Sequence, residues 1–281
     1  MSKELYQKIF FLSPFFLLML LVIFPLFYSI YISFFKGFLE SFCGLENYFY
    51  LFQDPRFIST IKVTLTFTII TVTSQTLIGL LLAFVLLQPE VKNKSFWQTI
   101  FLLPLVIPPI VAGVMFKILY HPSFGPFSYL SMIKISPPLW LEDPNLAIIS
   151  VSLINNWMWT PFTFLIFYTG MRAIPHEIIE SANLDGASGL DILTKIIFPY
   201  IKTLILIAIL FRSIDNLIAF DEIMGSTAGG PAFATTTFAI YIYKLAFKSW
   251  DLGYASAASV ILFIITTTIA IILIKLTYFR R

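Results

Sequence analysis

Polar residues are sparse along this chain, and the apolar ones come in long blocks. Crossing a bilayer as a helix takes about 20 apolar residues. Six runs qualify: 9–35, 63–87, 99–120, 146–171, 200–220 and 254–276. A span in hydrocarbon must satisfy its own backbone hydrogen bonds, so each run is read as a helix. The expected fold class is all-α: a polytopic membrane protein with six transmembrane helices. The whole chain, 1–281, reads as one transmembrane domain with a polar loop over 172–199 inside it. Pro14, Pro25, Pro104, Pro108, Pro109 and Pro161 fall within the runs. They suit broken helices around a cavity, although transmembrane helices also tolerate proline without one. A shorter apolar stretch, 234–247, reads as re-entrant or interfacial.

Composition points the same way. The chain is 58% hydrophobic and 12% charged, against roughly 25% charged in a soluble domain. The first run is too long for the apolar core of a signal peptide and lacks a small-residue cleavage site, so it is read as retained. The lone Cys43 excludes an intramolecular disulfide. The net charge of +3 decides little, but the placement of Lys and Arg decides more. Lys3, Lys8, Lys92, Lys94, Arg172, Lys195, Lys202, Lys275, Arg280 and Arg281 fall on one side of the expected topology. Lys36, Arg56, Lys62, Lys117, Lys134, Lys244 and Lys248 fall on the other. The positive-inside rule then puts both termini and the 172–199 loop in the cytoplasm. The opposite-side segments 35–61 and 121–145 are turn-rich, with Asp54-Pro55, His121-Pro122 and Pro137-Pro138.

The loop has its own helical logic. Pro175 fits a first helical turn, and Glu177 and Glu180 sit near the positive end of that helix. Ile178, Ile179 and Ala182 form a small apolar face. Gly186 is a natural stop. Ser188 with Asp191 three residues on reads as a capping box opening a second helix toward Pro199. The loop therefore reads as helix, tight turn and helix lying across the membrane surface. The small Ser181, Ala182 and Ala187 leave room for a partner to approach, while a stiff hairpin with no partner satisfies the same physics.

Between residues 180 and 199 stand Glu180-Ser181-Ala182, Asp185-Gly186, Ile196, Phe198 and Pro199. This pattern resembles the signature E-A-A-x-x-x-G, nine residues, I-x-L-P of permease subunits of binding-protein-dependent ABC importers. It departs from that signature at Ser181 and Phe198. The resemblance implies an ABC importer permease fold of the maltose type. It also implies that Glu180, Ser181, Ala182, Asp185 and Gly186 belong to a coupling helix that docks in a groove of a cytoplasmic ATPase. A second stretch narrows the likeness: Phe220-Asp221, Thr227, Gly229-Gly230-Pro231, Thr235, Tyr241-Ile242-Tyr243, Ala246-Phe247 and Gly253-Tyr254-Ala255. These residues resemble the carbohydrate branch, most of all its first permease subunit in the maltose/glycerol-phosphate-type sugar permease family. By this resemblance the chain is expected to carry the six-helix core of the maltose example without its extra N-terminal spans.

No G-x-x-x-x-G-K-[ST] phosphate loop occurs, so ATP would be bound by a separate polypeptide. No catalytic cluster or metal-ligand set stands out: His121 and His176 fall on opposite sides of the expected topology. No cofactor and no enzymatic activity are expected of the chain itself.

The fifth run carries Arg212, Asp215 and Asn216, with Ala219 one turn on, all on one helix face. A charge at mid-bilayer costs about 2.5–3.5 kcal/mol on the lenient insertion scale, so these residues face a cavity or one another. An Arg–Asp pair at the outer interface is one reading. A solute pathway is the other, because guanidinium, carboxylate and amide can fork onto sugar hydroxyls. In the family resembled, sugar contacts come from this helix at the same offsets after the motif proline. Asn216 matches an asparagine there, whereas Arg212 and Asp215 do not match. The helix before the loop, Asn155-Asn156-Trp157-Met158-Trp159-Thr160-Pro161-Phe162, resembles its counterpart in its Asn, Trp and Pro. By that resemblance Trp159 and Phe162 join the sugar site, while Trp157 reads as an interface anchor or packing residue.

The resemblance thus implies a permease that moves a sugar or oligosaccharide across the cytoplasmic membrane of a prokaryote by alternating access. It would work with a second permease as a heterodimer, two ATPase subunits and an extracytoplasmic solute-binding protein, within membrane lipid and without nucleic acid. One alternative is an importer of an anionic solute such as a glycerol phosphate ester, baited by Arg212. Another is a secondary transporter, which would usually show internal repeats and midplane carboxylates.

Overall fold

The computed structural model describes residues 3–134 and 136–278; Arg280 and Arg281, counted in the charge bias, lie outside them. Among the described residues the fold is all-α apart from one tiny hairpin. Helix α1 (Lys3–Ile32) leads into strands β1 (Phe35–Lys36) and β2 (Ser41–Phe42), which pair antiparallel. Helices α2 (Glu46–Gln53), α3 (Pro55–Leu87), α4 (Lys94–Leu102), α5 (Pro109–Leu119) and α6 (Pro144–Arg172) follow. Then come α7 (His176–Leu184), α8 (Gly189–Asp191), α9 (Phe198–Leu217), α10 (Asp221–Ser226), α11 (Phe238–Phe247) and α12 (Leu252–Tyr278).

Four helices among the described residues are long and apolar enough to cross a membrane: Leu12–Ile32, Pro55–Leu87, Gly189–Leu217 and Leu252–Leu276. The expected third span, 99–120, is not one helix. It breaks into Lys94–Val106 and Pro109–Leu119, bent by 98°, and makes a fifth span only if the pair is counted as one. Proline explains the break: Pro108 and Pro109 have no N–H for the preceding turn. The residue before a proline is driven out of the helical region, and Pro108 has φ −59 and ψ 136. Around the expected fourth run lies α6, 29 residues long. Its buried Asn155, Asn156, Thr160 and Thr163 leave it less apolar than the four clear spans. Asp143 caps it, with Oδ1 accepting the N–H of Asn145 at 2.7 Å, and Pro144 fills its first turn.

The second helix of the 172–199 loop, read as running toward Pro199, continues unbroken into the fifth span. It runs into it through a π turn, Ile192–Ile197, as one helix Gly189–Leu217. The widened turn accommodates Pro199, which cannot donate to the carbonyl a turn earlier. Segment 35–61 is also more ordered than its turn signals imply, because the buried Asn47 amide donates to the carbonyls of Ser33 (2.9 Å) and Phe35 (2.8 Å).

The chain divides into two compact units, one of Met1–Ile58 with Tyr241–Ile265 and one of Ser59–Ile240 with Thr266–Arg281. In the first, the Tyr241 hydroxyl donates to Asp54 Oδ2 at 2.8 Å. The N–H of Gly253 meets the carbonyl of Gly37 at 2.6 Å, an approach that any Cβ at Gly253 would block against the Phe35 carbonyl. The second unit holds two apolar clusters, both built on α6. One gathers Phe67, Ala112, Val151, Ile154, Met158 and Ile223. The other gathers Leu86, Phe164, Phe167, Met171, Ile192 and Ile201. Helix α10 packs on α5 at very close range: a Cβ on Gly113 would run into the Glu222 carbonyl, and one on Gly225 would lie 2.5 Å from the Ile110 carbonyl.

Candidate functional site

Beside the first cluster the second unit carries a polar pocket. Its centre is Arg212 of α9, which is 1% exposed. A guanidinium has five N–H donors and accepts nothing. Nε donates to Gln75 Oε1 of α3 at 2.8 Å, and Nη1 donates to Asp215 Oδ2 at 3.0 Å. Nη2 donates to Asn216 Oδ1 at 3.0 Å and to Asn155 Oδ1 of α6 at 3.3 Å. The guanidinium carbon lies 4.6 Å from the centre of the Trp159 ring, a cation–π distance.

The second ring of contacts ties in a fourth element. Gln75 Nε2 donates to Asn155 Oδ1 at 2.7 Å, and Asn155 Nδ2 donates to Glu222 Oε1 of α10 at 2.6 Å. Glu222 is 4% exposed. Because Arg212 only donates, each amide must turn its oxygen toward it, which fixes all three amide orientations. For Asn216 this leaves Nδ2 buried and without a partner among the described residues. The adjoining cavity, about 240 Å³, is lined by Pro109, Asn155, Trp159, Arg212, Asp215, Asn216, Ile218, Ala219, Phe220, Asp221 and Glu222. Acceptors, the unpartnered Asn216 amide and an aromatic ring thus converge on a space that the start of α5 borders at Pro109.

Of the residues singled out for a pathway, Trp159, Arg212, Asp215 and Asn216 come together here, while Phe162 is not among those lining the cavity. Trp157 instead packs edge-on against Phe116 at 5.3 Å. Sequence reasoning missed Gln75 and Glu222. A lone amide within an apolar run, such as Gln75, was a usable signal. Glu222 sat next to Phe220-Asp221, which were read only as part of the family resemblance. A larger cavity of about 340 Å³, lined in part by Tyr120, Trp140, Thr227 and Pro231, holds none of this network.

The 172–199 loop is built as its caps imply. Just past the end of α7 comes Gly186, whose φ of +78 is the left-handed region, and the N–H of Ala187 bonds to the carbonyl of Ala182 at 3.0 Å. The capping box is complete: Ser188 Oγ accepts the Asp191 N–H at 3.2 Å, and Asp191 Oδ2 accepts the Ser188 N–H at 3.2 Å. Lys195 pairs with Asp191 at 2.6 Å, and His176 Nδ1 lies 3.0 Å from Glu180 Oε1. Ile179, Ala182 and Ala187 pack against the chain's own second cluster. Glu180, Ser181, Asp185 and Gly186 are exposed, and Leu184 stands 89% exposed on the same outer surface.

Known proteins share this build. The family described as "Binding-protein-dependent transport system inner membrane component" matches residues 75–280. The trehalose/maltose transport system permease protein MalF of Thermococcus litoralis is 32% identical over 243 residues, 86% of this chain and 82% of that one. The sulfoquinovosyl glycerol transport system permease protein SmoG of Agrobacterium fabrum is 31% identical over 266 residues, 92% of this chain and 86% of that one. Among solved structures, a chain of a bacterial ABC transporter involved in the import of the acidic polysaccharide alginate superposes with a TM-score of 0.86. The two are 22% identical, and 98% of each chain is covered, so the fold is shared. On the family match and these relatives together, the chain belongs to the binding-protein-dependent transport system inner membrane components and is a multi-pass membrane permease.

Proposed function

We propose that this chain is the first permease subunit of a carbohydrate ABC importer and that the Arg212 pocket lies on the solute's route. The observation that carries the reading is the pocket's chemistry within a chain of this family. Hydroxyl-binding carboxylates, an amide donor and an aromatic face surround one small space, a set suited to a sugar ring. The printed names of several relatives, trehalose/maltose and multiple-sugar systems among them, support the same class. The anionic alternative is weakened: four of the five Arg212 N–H donors already bond Gln75, Asp215, Asn155 and Asn216, and the Asp215 carboxylate pairs with its charge.

The working assembly is a heterodimer with a second permease, two cytoplasmic ATPase subunits and an extracytoplasmic solute-binding protein. Helix α6 and the bent α4–α5 pair complete six spans. Both termini face the cytoplasm, and residues 172–199 dock on the ATPase through Glu180, Ser181, Ala182, Asp185 and Gly186. ATP closes the ATPase dimer, the docked loop moves, and the permease pair changes which side is open. That is a population shift between two states driven by differential contacts.

Vesicles reconstituted with the complete importer should accumulate a sugar only with ATP and the solute-binding protein. Omitting the ATPase should abolish uptake. Uptake driven by an ion gradient in vesicles holding this chain alone would establish a secondary transporter instead. Orientation is read separately at Cys43, which is partly exposed. A membrane-impermeant thiol reagent should label it from outside the cell; labelling only after lysis reverses the topology.

A further inference from the structure

Four ionisable side chains line the Arg212 cavity: Arg212, Asp215, Asp221 and Glu222. Three are carboxyl groups and one is a base. The base is turned inward. It is 1% exposed and bonded to Gln75, Asn155, Asp215 and Asn216, with the Trp159 ring against it. The acids are the reachable partners: the Asp215 side chain is 53% exposed, and Asp221 is exposed beside it. Pro109, where the broken helix α5 begins at the cavity, has no N–H to offer an anion. The buried Asn216 Nδ2, which is neutral, has no partner among the described residues. An arriving solute therefore meets acceptors, an apolar ring and an uncharged amide. The positive charge of Arg212 is already paired with Asp215 at 3.0 Å.

The sign survives any protonation state of the buried Glu222. With its carboxyl neutral, Asp215 and Asp221 still outnumber Arg212. With it ionised, the excess of negative charge is larger. A carboxylate or phosphate on the solute would enter a space that is already negative, within a few ångströms of the Asp215 and Asp221 carboxylates, where like charges repel. Hydroxyl or ammonium groups would find acceptors waiting.

We propose that this pocket is a charge filter: it admits neutral or amine-bearing sugar rings and rejects acidic ones, with Asp215 as the deciding residue. Asp215 decides because it does two things. It presents a carboxylate to the cavity, and it cancels the charge of Arg212 at 3.0 Å. The inference rests on the proposed sugar route and names the class of sugar.

The test uses the full chain purified with its partner permease and three probes of equal length. These are a neutral glucose trimer, a glucosamine trimer and a uronic acid trimer. Binding is followed by tryptophan fluorescence, with Trp159→Phe subtracted to isolate the ring in the pocket. The neutral and amine trimers should bind, and the acid should bind at least about tenfold more weakly, the scale of one close like-charge contact. Asp215→Asn keeps an oxygen for Arg212 Nη1 but frees its charge, so the gap between acid and neutral trimers should close or invert. Asp221→Asn, on an exposed side chain, should narrow the gap less and guards against a folding artefact in the first variant. Equal binding of acid and neutral trimers in the wild type, or an Asp215→Asn ratio unchanged from it, overturns the filter and leaves the sugar reading standing. Failure of all three trimers to bind overturns the sugar reading and the filter with it.

Discussion

The pocket and the 172–199 loop are both polar islands in an apolar chain, yet they are held in opposite ways. The loop is local. Ser188 caps to Asp191 three residues away, His176 meets Glu180 four away, and Gly186 lets Ala187 fold back on Ala182. The pocket is assembled from far apart: Arg212 meets Gln75 137 residues away and Asn155 57 away, and Asn155 meets Glu222 67 away. A local motif can move as a rigid piece without disturbing the core, which suits a part that transmits a push. A long-range network changes only when helices shift against one another, which suits a part that senses or gates. Breaking one region should therefore cost stability, while breaking the other should cost coupling at little cost in stability.

The largest effect is expected at Arg212. Arg212→Ala strips the partner from Gln75, Asp215, Asn155 and Asn216 at once, leaving the buried amides without that partner and the half-exposed Asp215 carboxylate without its cation. Leaving a buried polar group without its partner typically costs about 1–3 kcal/mol, and several amides lose theirs here. The purified complex should melt well below wild type or fail to assemble. Arg212→Ala with Asp215→Ala should recover part of the loss, because both charges go together. A single variant that melts like wild type would mean that the network does not hold α3, α6 and α9 together.

This contrast also explains what the sequence disclosed. The loop was readable nearly residue by residue, because capping boxes, left-handed glycines and i,i+4 pairs are rules of short separation. The long apolar helices were readable for the same reason. Arg212, Asp215 and Asn216 could be put on one face from spacing alone, but their partners could not. No periodicity says that Gln75 of α3 will turn toward α9, or that α10 will press a glutamate onto Asn155. The third span misled in a different way: its composition is that of a membrane helix, and three prolines within it reset the backbone to a 98° bend. The π turn at Ile192–Ile197 was hidden because composition cannot separate a surface helix from the first turns of a span.

In the loop, two substitutions separate shape from contact. Gly186→Val forces a β-branched residue into a left-handed backbone, a strain of about 1–3 kcal/mol confined to the α7–α8 turn. Nothing lies within 4 Å of a Cβ there, so conformation rather than crowding is at issue. The complex should assemble and melt near wild type, yet lose transport and the ATPase stimulation that loaded binding protein provides. Gly186→Asn, which tolerates the left-handed region, should keep most of both. Leu184→Ser leaves the fold alone, since the side chain is 89% exposed, but removes an apolar anchor worth about 1.5–3 kcal/mol when buried. ATPase co-purification should weaken by roughly tenfold or more on that scale. If co-purification is unchanged, this surface is not where the ATPase docks.

The smallest effect is the most informative about the pocket. Asn216 Oδ1 is one of two acceptors for Arg212 Nη2, and Asn155 Oδ1 at 3.3 Å remains when it is removed. Asn216→Ala should therefore cost only about 0.5–1.5 kcal/mol of stability, the net worth of one hydrogen bond. Its Nδ2, however, has no partner among the described residues, although the side chain is 1% exposed and lines the cavity. A buried donor left unsatisfied is costly, and an acceptor on the solute would relieve it. Transport of a neutral sugar should fall threefold to roughly tenfold at normal assembly, the same energy scale read as affinity. Asn216→Asp separates the two roles, because it keeps an oxygen for Arg212 and replaces the donor with an acceptor. It should match Asn216→Ala in lost transport while melting no lower. If both variants transport like wild type, the amide points at no solute, and the pocket belongs with the helix-holding network alone.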